Sequence, residues 1–240
     1  MGRCLIAWLK RIGLLLLLGI YPTYGFTVSY SYIDCNRVPF DEKLIKFLNF
    51  ENGVFIEAGA LDGLMQSNTK LLEEAYGWTG ILIEPSHEAF EQLQIHRPYS
   101  QCFECAIGSF EEDGTYVWGD FNGKSMSSVN GNRLQKPAEY RVLMRSLQSI
   151  LDEVGIFHVN FFSLDVEGYE MNVLRGIDFK RTQFDYLLIE IYTWQYEEIV
   201  NFLLDKGYEM IESVSNYNLI TNPGWDGTHN DYLFKRKGEL

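Results

Sequence analysis

The chain has 240 residues, 46% of them hydrophobic, which is enough for one domain with a full core and short for two. Only 22% of the residues are charged, so the composition excludes an intrinsically disordered chain. The 33 acidic residues outnumber the 20 basic ones and give a net charge of −13. Because a chain this acidic is repelled by phosphate backbones, nucleic acid is not expected as its main partner.

The N-terminal segment, residues 1–25, differs in charge from the rest of the chain. It contains Arg3, Lys10 and Arg11 but no acid, and an apolar run follows these basic residues. This order predicts a secretory signal peptide, or a signal-anchor with membrane association through residues 4–20. Since the positive charges come first, both forms place the remaining chain across the membrane, in the secretory pathway, either secreted or lumenal. An N-terminal helix docked on the domain is the less favoured alternative.

Hydrophobic patterning predicts a connecting arm over residues 26–40 and one domain over residues 41–240. Strands alternate with helices in this domain, which predicts an α/β fold with an open, mostly parallel sheet and helices on both faces. The predicted elements are a helix over 41–50, a strand over 53–57, a helix from 67 or 68 to 76, a strand over 80–84, a helix over 86–95, a strand over 101–107, a helix over 146–154, a strand over 161–165, a helix over 169–174, a strand over 185–191, a helix over 195–206, and a closing antiparallel pair over 208–213 and 231–235.

A long excursion over residues 108–141 interrupts this alternation. The segment is rich in Gly, Asn and Ser, and its hydrophobic periodicity lapses, which predicts irregular structure with one hairpin. A loop this long in a compact domain is usually functional or mobile.

The turn after the first predicted strand carries an acid and two glycines, Glu57, Gly59 and Gly63. Glycines let a ligand approach the backbone closely and permit positive φ angles, although many purely structural turns contain them as well. The spacing differs from the dinucleotide-binding pattern, and the turn lacks the lysine of a phosphate-binding loop. An acid directly before the turn argues against a phosphate ligand and favours a cationic one.

A second acid, Glu84, ends the second predicted strand. An acid at this position can accept hydrogen bonds from both hydroxyls of a ribose, although a solvated carboxylate is also common at a strand end. Together, Glu57 and Glu84 close two strands of one βαβ unit and describe a site for a nucleoside that lacks a pyrophosphate. S-adenosylmethionine, which combines a ribose, an amino-acid group and a sulfonium cation, fits this description.

Three acids follow the fourth predicted strand, namely Asp165, Glu167 and Glu170. They could orient a substrate hydroxyl, act as a general base, or bind a divalent ion together with Glu190 from the next strand end. Alternatively, they cap the following helix and complement its dipole. We expect both, with Asp165 facing the pocket and Glu170 engaged with the helix or in an ion pair.

The four histidines, His87, His96, His158 and His229, share no metal-ligand spacing, so a zinc site is not expected and no metal ligands are assigned. His229 could be a base in the pocket, but a surface position is favoured. The absence of a Gly-x-Ser-x-Gly motif argues against an α/β-hydrolase.

Several segments, in the correct order over residues 41–236, resemble the FkbM family of methyltransferases. The matching segments form two separate signatures in the family's order, and this combination is far more specific for a family than a single glycine-containing turn. The matching segments are 54–63 (VFIEAGALDG), 67–69 (SNT), 77–85 (GWTGILIEP), 146–151 (SLQSIL), 162–170 (FSLDVEGYE) and 173–176 (VLRG).

The resemblance implies a seven-stranded Rossmann-like methyltransferase fold that binds S-adenosylmethionine and transfers its methyl group to a hydroxyl of a small molecule or glycan. It implies that Asp165 and Glu167 are catalytic, supplying a path for the hydroxyl proton, with Glu190 a weaker candidate. Acceptor specificity is expected to reside in the excursion over 108–141. The implied cofactor-binding residues are Glu57, Gly59, Ala60, Asp62, Gly63, Asn68, Glu84, Pro85, Ala106 and Asp165.

A non-catalytic function is the alternative. Some relatives in the secretory pathway, such as the insect protein Star, resemble this domain and serve in the handling of a membrane cargo protein. The same fold would then act as an interaction or trafficking module with a protein partner in that pathway. The acids at three strand ends, Glu57, Glu84 and Asp165, favour retained cofactor binding, because a pure scaffold does not need them.

Overall fold

The structure is a computed structural model that describes residues 29–238. The predicted signal segment over 1–25 lies outside the described residues, as does the beginning of the predicted arm. Among residues 29–238, no helix combines the length and the apolar character needed to cross a membrane.

The described chain alternates between helices and strands, as the sequence predicts, and most boundaries differ by one to three residues. In chain order the elements are α1 (Phe40–Leu48), β1 (Val54–Ala58), α2 (Lys70–Tyr76), β2 (Thr79–Ile83), α3 (His87–His96), β3 (Gln101–Phe103), β4 (Ala106–Gly108), a 3₁₀ turn (Phe110–Glu112), β5 (Tyr116–Gly119), β6 (Tyr140–Ser146), α4 (Leu147–Val154), β7 (His158–Leu164), α5 (Glu170–Arg175), β8 (Gln183–Tyr192), α6 (Tyr196–Asp205), β9 (Tyr208–Ser213) and β10 (His229–Arg236).

The main sheet has seven strands in the order β3-β2-β1-β7-β8-β10-β9. The first five of these are parallel to one another, and β10 runs antiparallel between β8 and β9. This arrangement confirms the expected seven-stranded, mostly parallel Rossmann-like sheet with a closing antiparallel pair. The strand order reverses between β1 and β7, and open sheets of this kind bind ligands beyond the carboxyl ends of the strands at such a reversal.

The prediction of one strand over 101–107 is wrong. Residues Gln101–Phe103 pair with β2 in the main sheet, whereas Ala106–Gly108 pair with β6 in a second, three-stranded sheet of order β4-β6-β5. Hydrophobic patterning cannot detect this change, because buried strands of either sheet have the same apolar character. Strands β5 and β6 pair antiparallel, which matches the hairpin expected in the excursion.

Helices cover both faces of the main sheet, as predicted. Neighbouring residues of a strand point to opposite faces, so Phe161 packs with α1 and α3 on one side and Phe162 packs with α4, α5 and α6 on the other. Both phenylalanines are fully buried. The two cores fix the central strands, and with them the positions of the residues that follow the strand ends.

Candidate functional site

A cleft lies beyond the carboxyl ends of β1, β2 and β7, where the strand order reverses. It contains about 680 Å³ of space that no atom fills, part of it open to solvent. The structure brings together here eight of the residues singled out in the sequence, Glu57, Gly59, Ala60, Asn68, Glu84, Pro85, Asp165 and Glu167.

Gly59 holds two strand ends in contact at the floor of this cleft. Its φ is +81°, and a Cβ atom at this position would lie 1.9 Å from the carbonyl oxygen of Asp165. The backbone N–H of Asp165 donates to the carbonyl oxygen of Ala58 at 3.2 Å. Only glycine fits this close approach, and the glycine therefore places Asp165 directly beside the first turn.

Three of the predicted cofactor-binding residues do not line this cleft. Asp62 closes the first turn by accepting backbone hydrogen bonds from Leu64 and Met65 at 2.9 and 2.8 Å. Gly63, with φ of +78°, packs where a Cβ would collide with neighbouring side chains. Ala106 lines a separate, smaller cavity that it shares with Gly59 and Pro85. Cofactor contact by these three residues stays a prediction.

The carboxylate of Glu57 is buried and is met by three hydrogen-bond donors. The hydroxyls of Ser67 and Thr69 donate to it at 2.8 and 2.6 Å, and the backbone N–H of Asn68 donates at 2.7 Å. Burial raises the pKa of Glu57, an effect that Arg97 and these hydrogen bonds oppose. The carboxylate therefore fixes the loop over 67–69 along one wall of the cleft.

Arg97, which the sequence analysis missed, completes this wall. Its side chain is fully buried, lies 3.7 Å from a Glu57 oxygen, and donates to Glu73 at 2.8 Å and to Thr69 at 3.0 Å. Burial works to raise the pKa of Glu73, but Arg97 and the other donors outweigh it and hold that pKa below its usual range. Arg97 directly follows α3, and no local pattern indicates that it pairs with an acid 40 positions earlier.

Glu84 faces the cleft from the end of β2. Its oxygens accept backbone hydrogen bonds from Leu61 at 2.9 Å and from Ser86 at 2.8 Å, and burial raises its pKa to about 7. Across the cleft, the Nδ2 atom of Asn68 donates to Ser163, while its buried Oδ1 atom has no partner. The cleft thus offers a buried carboxylate at the end of β2 and an unpaired amide oxygen at its opposite wall.

A second cavity, with about 710 Å³ of unfilled space that is partly open to solvent, adjoins the cleft. The two share Tyr32, Gln66, Ser125, Met126 and Glu167, so residues of the excursion and of the predicted arm border both. The second cavity is mostly polar and aromatic, and its other lining residues are Arg133, Glu190, Tyr217, His229 and Asp231.

Glu167 forms part of the wall between the two cavities. Its backbone φ is +57°, which is unusual outside glycine, and one carboxylate oxygen accepts from Arg133 at 3.2 Å and from the Tyr192 hydroxyl at 2.7 Å. Arg133 also pairs with Asp226 at 2.5 Å. Because Glu167 is held by these partners, the structure favours a positioning role for it over a role as the base.

Three acids at the junction of the two cavities, Asp165, Glu170 and Glu190, form a cluster that we call the acid triad. One oxygen from each lies within 4.8 Å of the others. Burial raises the pKa of all three carboxyl groups, to about 7 for Glu170, and repulsion between the neighbouring acids adds to the effect. Glu170 accepts backbone hydrogen bonds from Val166 and Gly168 at 3.2 and 3.0 Å and forms no ion pair within residues 29–238, contrary to one of the expectations.

His229 lies in the second cavity and not on the surface, where the sequence analysis favoured it. Its side chain is 17% exposed, and its Nε2 atom is 3.4 Å from a Glu190 oxygen. Burial lowers its pKa, so the imidazole is held in its neutral, proton-accepting form. The pairing of β10 with β8 places it there, with His229 opposite Tyr192, and this pairing is not visible in the sequence.

Residues 57–210 match the protein family described as the methyltransferase FkbM domain. No curated protein sequence matches the chain. Among solved structures, a TehB-like SAM-dependent methyltransferase from Corynebacterium glutamicum is 9% identical, with 96% of this chain and 97% of that chain covered and a TM-score of 0.46. The Methanococcus jannaschii fibrillarin pre-rRNA processing protein is 11% identical, with 79% of this chain and 69% of that chain covered and a TM-score of 0.47. TrmK of M. capricolum, in complex with S-adenosyl-homocysteine, is 7% identical, with 81% of this chain and 68% of that chain covered and a TM-score of 0.46.

Proposed function

Because the chain belongs to the FkbM family of S-adenosylmethionine-dependent methyltransferases, we propose that it methylates a hydroxyl oxygen of a small molecule or glycan. The observation that carries this proposal is the pair of adjoining cavities, one with the ribose-type acid Glu84 and the other with the neutral imidazole of His229. They meet at Glu167, where a donor and an acceptor would face each other.

The first cleft suits the cofactor. Glu84 would accept the ribose hydroxyls, and the unpaired oxygen of Asn68 would accept from the amino group. Gly59 and Ala60 leave room for close approach to the backbone. When bound, S-adenosylmethionine supplies a methyl group on a sulfonium, whose sulfur keeps the C–S electron pair when the methyl leaves.

The second cavity suits a neutral, hydroxyl-rich acceptor. Its carboxyl groups, Glu190 and Asp231, can exchange hydrogen bonds with hydroxyls, while Tyr32 and Tyr217 provide aromatic surfaces. As the acceptor oxygen bonds to the methyl carbon, its proton must leave, and we assign His229 as the base that takes it. Asp165, which lines the cofactor cleft, would orient the reacting hydroxyl.

A transfer assay tests this proposal. Full-length protein, S-adenosylmethionine carrying a labelled methyl group and a panel of glycans and polyhydroxylated small molecules should give methyl ethers detectable by mass spectrometry. His229→Gln should lower kcat about 100-fold or more, the range of general base catalysis, with the cofactor affinity unchanged. The exposed Asp205→Asn variant serves as control. If no hydroxyl compound in the panel is labelled by folded, cofactor-binding protein, the assignment of the acceptor is wrong.

We also propose that the domain acts in the secretory pathway. The support is the sequence of residues 1–25, with its basic residues ahead of an apolar run. Expression of the full-length chain with a C-terminal tag, followed by protease protection of isolated vesicles, tests this. A lumenal domain should be protected until detergent is added, whereas digestion without detergent would contradict the proposal.

A further inference from the structure

The acid triad contains three buried oxygens that have no hydrogen-bond partner among the described residues. Glu170 is fully buried and Glu190 is 8% exposed, yet the Oε2 atom of each has no hydrogen-bond partner, and neither does the buried Oδ1 atom of Asp165. A buried carboxylate oxygen that lacks a partner is costly, and like charges close together add to the cost. One oxygen from each acid lies within 4.8 Å of the others, and the Asp165 and Glu190 carboxyl groups are within hydrogen-bond reach of each other, so the cluster requires a positive charge, either a shared proton or a bound cation.

No basic side chain of residues 29–238 fills this role. Arg133, which also borders the second cavity, is engaged by Glu167 and Asp226. The nearest nitrogen in an ion-pair contact with the triad belongs to His229, 3.4 Å from the other oxygen of Glu190, and burial disfavours its charged form. The positive charge therefore comes from outside the chain, as a proton or as a cation that displaces it.

From this geometry we infer that Asp165, Glu170 and Glu190 bind a divalent cation of the oxygen-preferring class, Mg²⁺, Mn²⁺ or Ca²⁺. Carboxylate oxygens are the donors that these ions prefer, and the set contains no thiolate or imidazole that would favour zinc. Opposite oxygen ligands of Ca²⁺ are up to about 5 Å apart and those of Mg²⁺ about 4 Å. The triad oxygens, within 4.8 Å of one another, meet this requirement with little movement.

The position of the triad also suggests what the cation holds, an inference that rests on the proposed function. Asp165 lines the cofactor cleft and Glu190 lines the acceptor cavity, so the cation would lie at their junction. Three carboxylates leave coordination positions open for further oxygens. An acceptor with two neighbouring oxygens, such as a vicinal diol or a hydroxy acid, could fill them and would be oriented by the ion.

Titration with Mn²⁺, followed by the loss of the electron paramagnetic resonance signal of the free ion, tests the site directly. Full-length protein without cofactor or acceptor should bind one Mn²⁺ per chain, and Ca²⁺ or Mg²⁺ should displace it. Glu170→Gln should weaken binding at least tenfold. Its amide oxygen can still accept from Val166 and Gly168, so the loop is retained, and Glu190→Gln gives a second test. The exposed Glu209→Gln variant should bind Mn²⁺ as the wild type does.

Absence of Mn²⁺, Mg²⁺ and Ca²⁺ binding at millimolar concentrations, or equal binding by a folded Glu170→Gln variant, would overturn the inference. The titration needs no methyl transfer, so the two claims fail separately. Transfer that survives a chelator, with no metal bound, overturns the cation site and leaves the proposed function intact. One bound Mn²⁺ without any transfer supports the site and contradicts the proposed function.

Discussion

Two groups of buried acids lie at the same edge of the sheet, and they differ in what surrounds them. Glu57 is met by three hydrogen-bond donors and lies 3.7 Å from the buried Arg97. The acid triad, in contrast, retains three buried oxygens without a partner. A strand-end acid thus stabilises the fold where the chain supplies a buried cation, and it forms a candidate binding site where the chain supplies none.

The largest expected effect on stability comes from removing Arg97, the buried cation beside Glu57. Arg97→Ala leaves Glu57 and Glu73 buried without their shared partner, and breaking a buried ion pair from one side costs about 3–5 kcal/mol. Urea denaturation should show this loss in the free energy of unfolding. Arg175→Ala, at an exposed ion pair, is the control and should change stability little. A loss under about 1 kcal/mol for Arg97→Ala would contradict the comparison.

Neutralising Glu57 should also destabilise the protein, but by less than the loss of Arg97. Glu57→Gln replaces a carboxylate that accepts three hydrogen bonds by an amide whose NH₂ group faces donors. We expect a loss of about 2 kcal/mol, in the range of hydrogen bonds to a charged group, measured by the same denaturation. Unchanged stability would mean that the loop over 67–69 is held by other contacts.

Glu84 predicts a pH dependence of cofactor affinity. Burial raises its pKa to about 7, so the carboxylate that would accept the ribose hydroxyls forms only as the pH rises through 7. Calorimetry with S-adenosylhomocysteine should therefore give about tenfold weaker binding at pH 6 than at pH 8. Glu84→Gln should bind weakly at both pH values. The opposite trend in the wild type would show that the neutral carboxyl group is the form that binds.

The smallest effect is expected in the acid triad, where a substitution should increase the stability of the protein. Without divalent cations at pH 8, Glu190→Gln removes a carboxyl group whose pKa is raised by burial and by neighbouring acids, which makes folding costly at this pH, and should stabilise the protein by about 1 kcal/mol. The same substitution at exposed Glu209 controls for surface charge. Destabilisation by Glu190→Gln in a chelator would indicate that this carboxylate has a structural partner.

The sequence alone could predict the residues that follow the strands, because an apolar strand ending in an acid is a local pattern. It located Glu57, Glu84 and Asp165 and most helix and strand boundaries. It could not show which acids are satisfied, since Arg97 reaches Glu57 only after α3 packs against the sheet. The splitting of one apolar run into β3 and β4 was equally hidden, because the pattern does not say which sheet a strand joins.

The second cavity was the least predictable part of the site. Its residues come from distant segments, with Tyr32 from the arm, Met126 and Arg133 from the excursion and His229 from the last strand. Only tertiary packing brings them together. A lone histidine carries no signal that separates a surface position from a base in a cavity, and here the antiparallel pairing of β10 with β8 decides it.

Binding of S-adenosylhomocysteine to the full-length protein tests the central claim, that the strand-end acids form a cofactor site, most directly. Titration calorimetry at pH 8 should show one saturable site, and saturation should raise the melting temperature by mass action. Glu84→Ala should abolish both effects, while the exposed Glu209→Ala variant should retain them. If folded wild-type protein shows neither heat nor thermal stabilisation at millimolar ligand, the claim of a cofactor site is wrong.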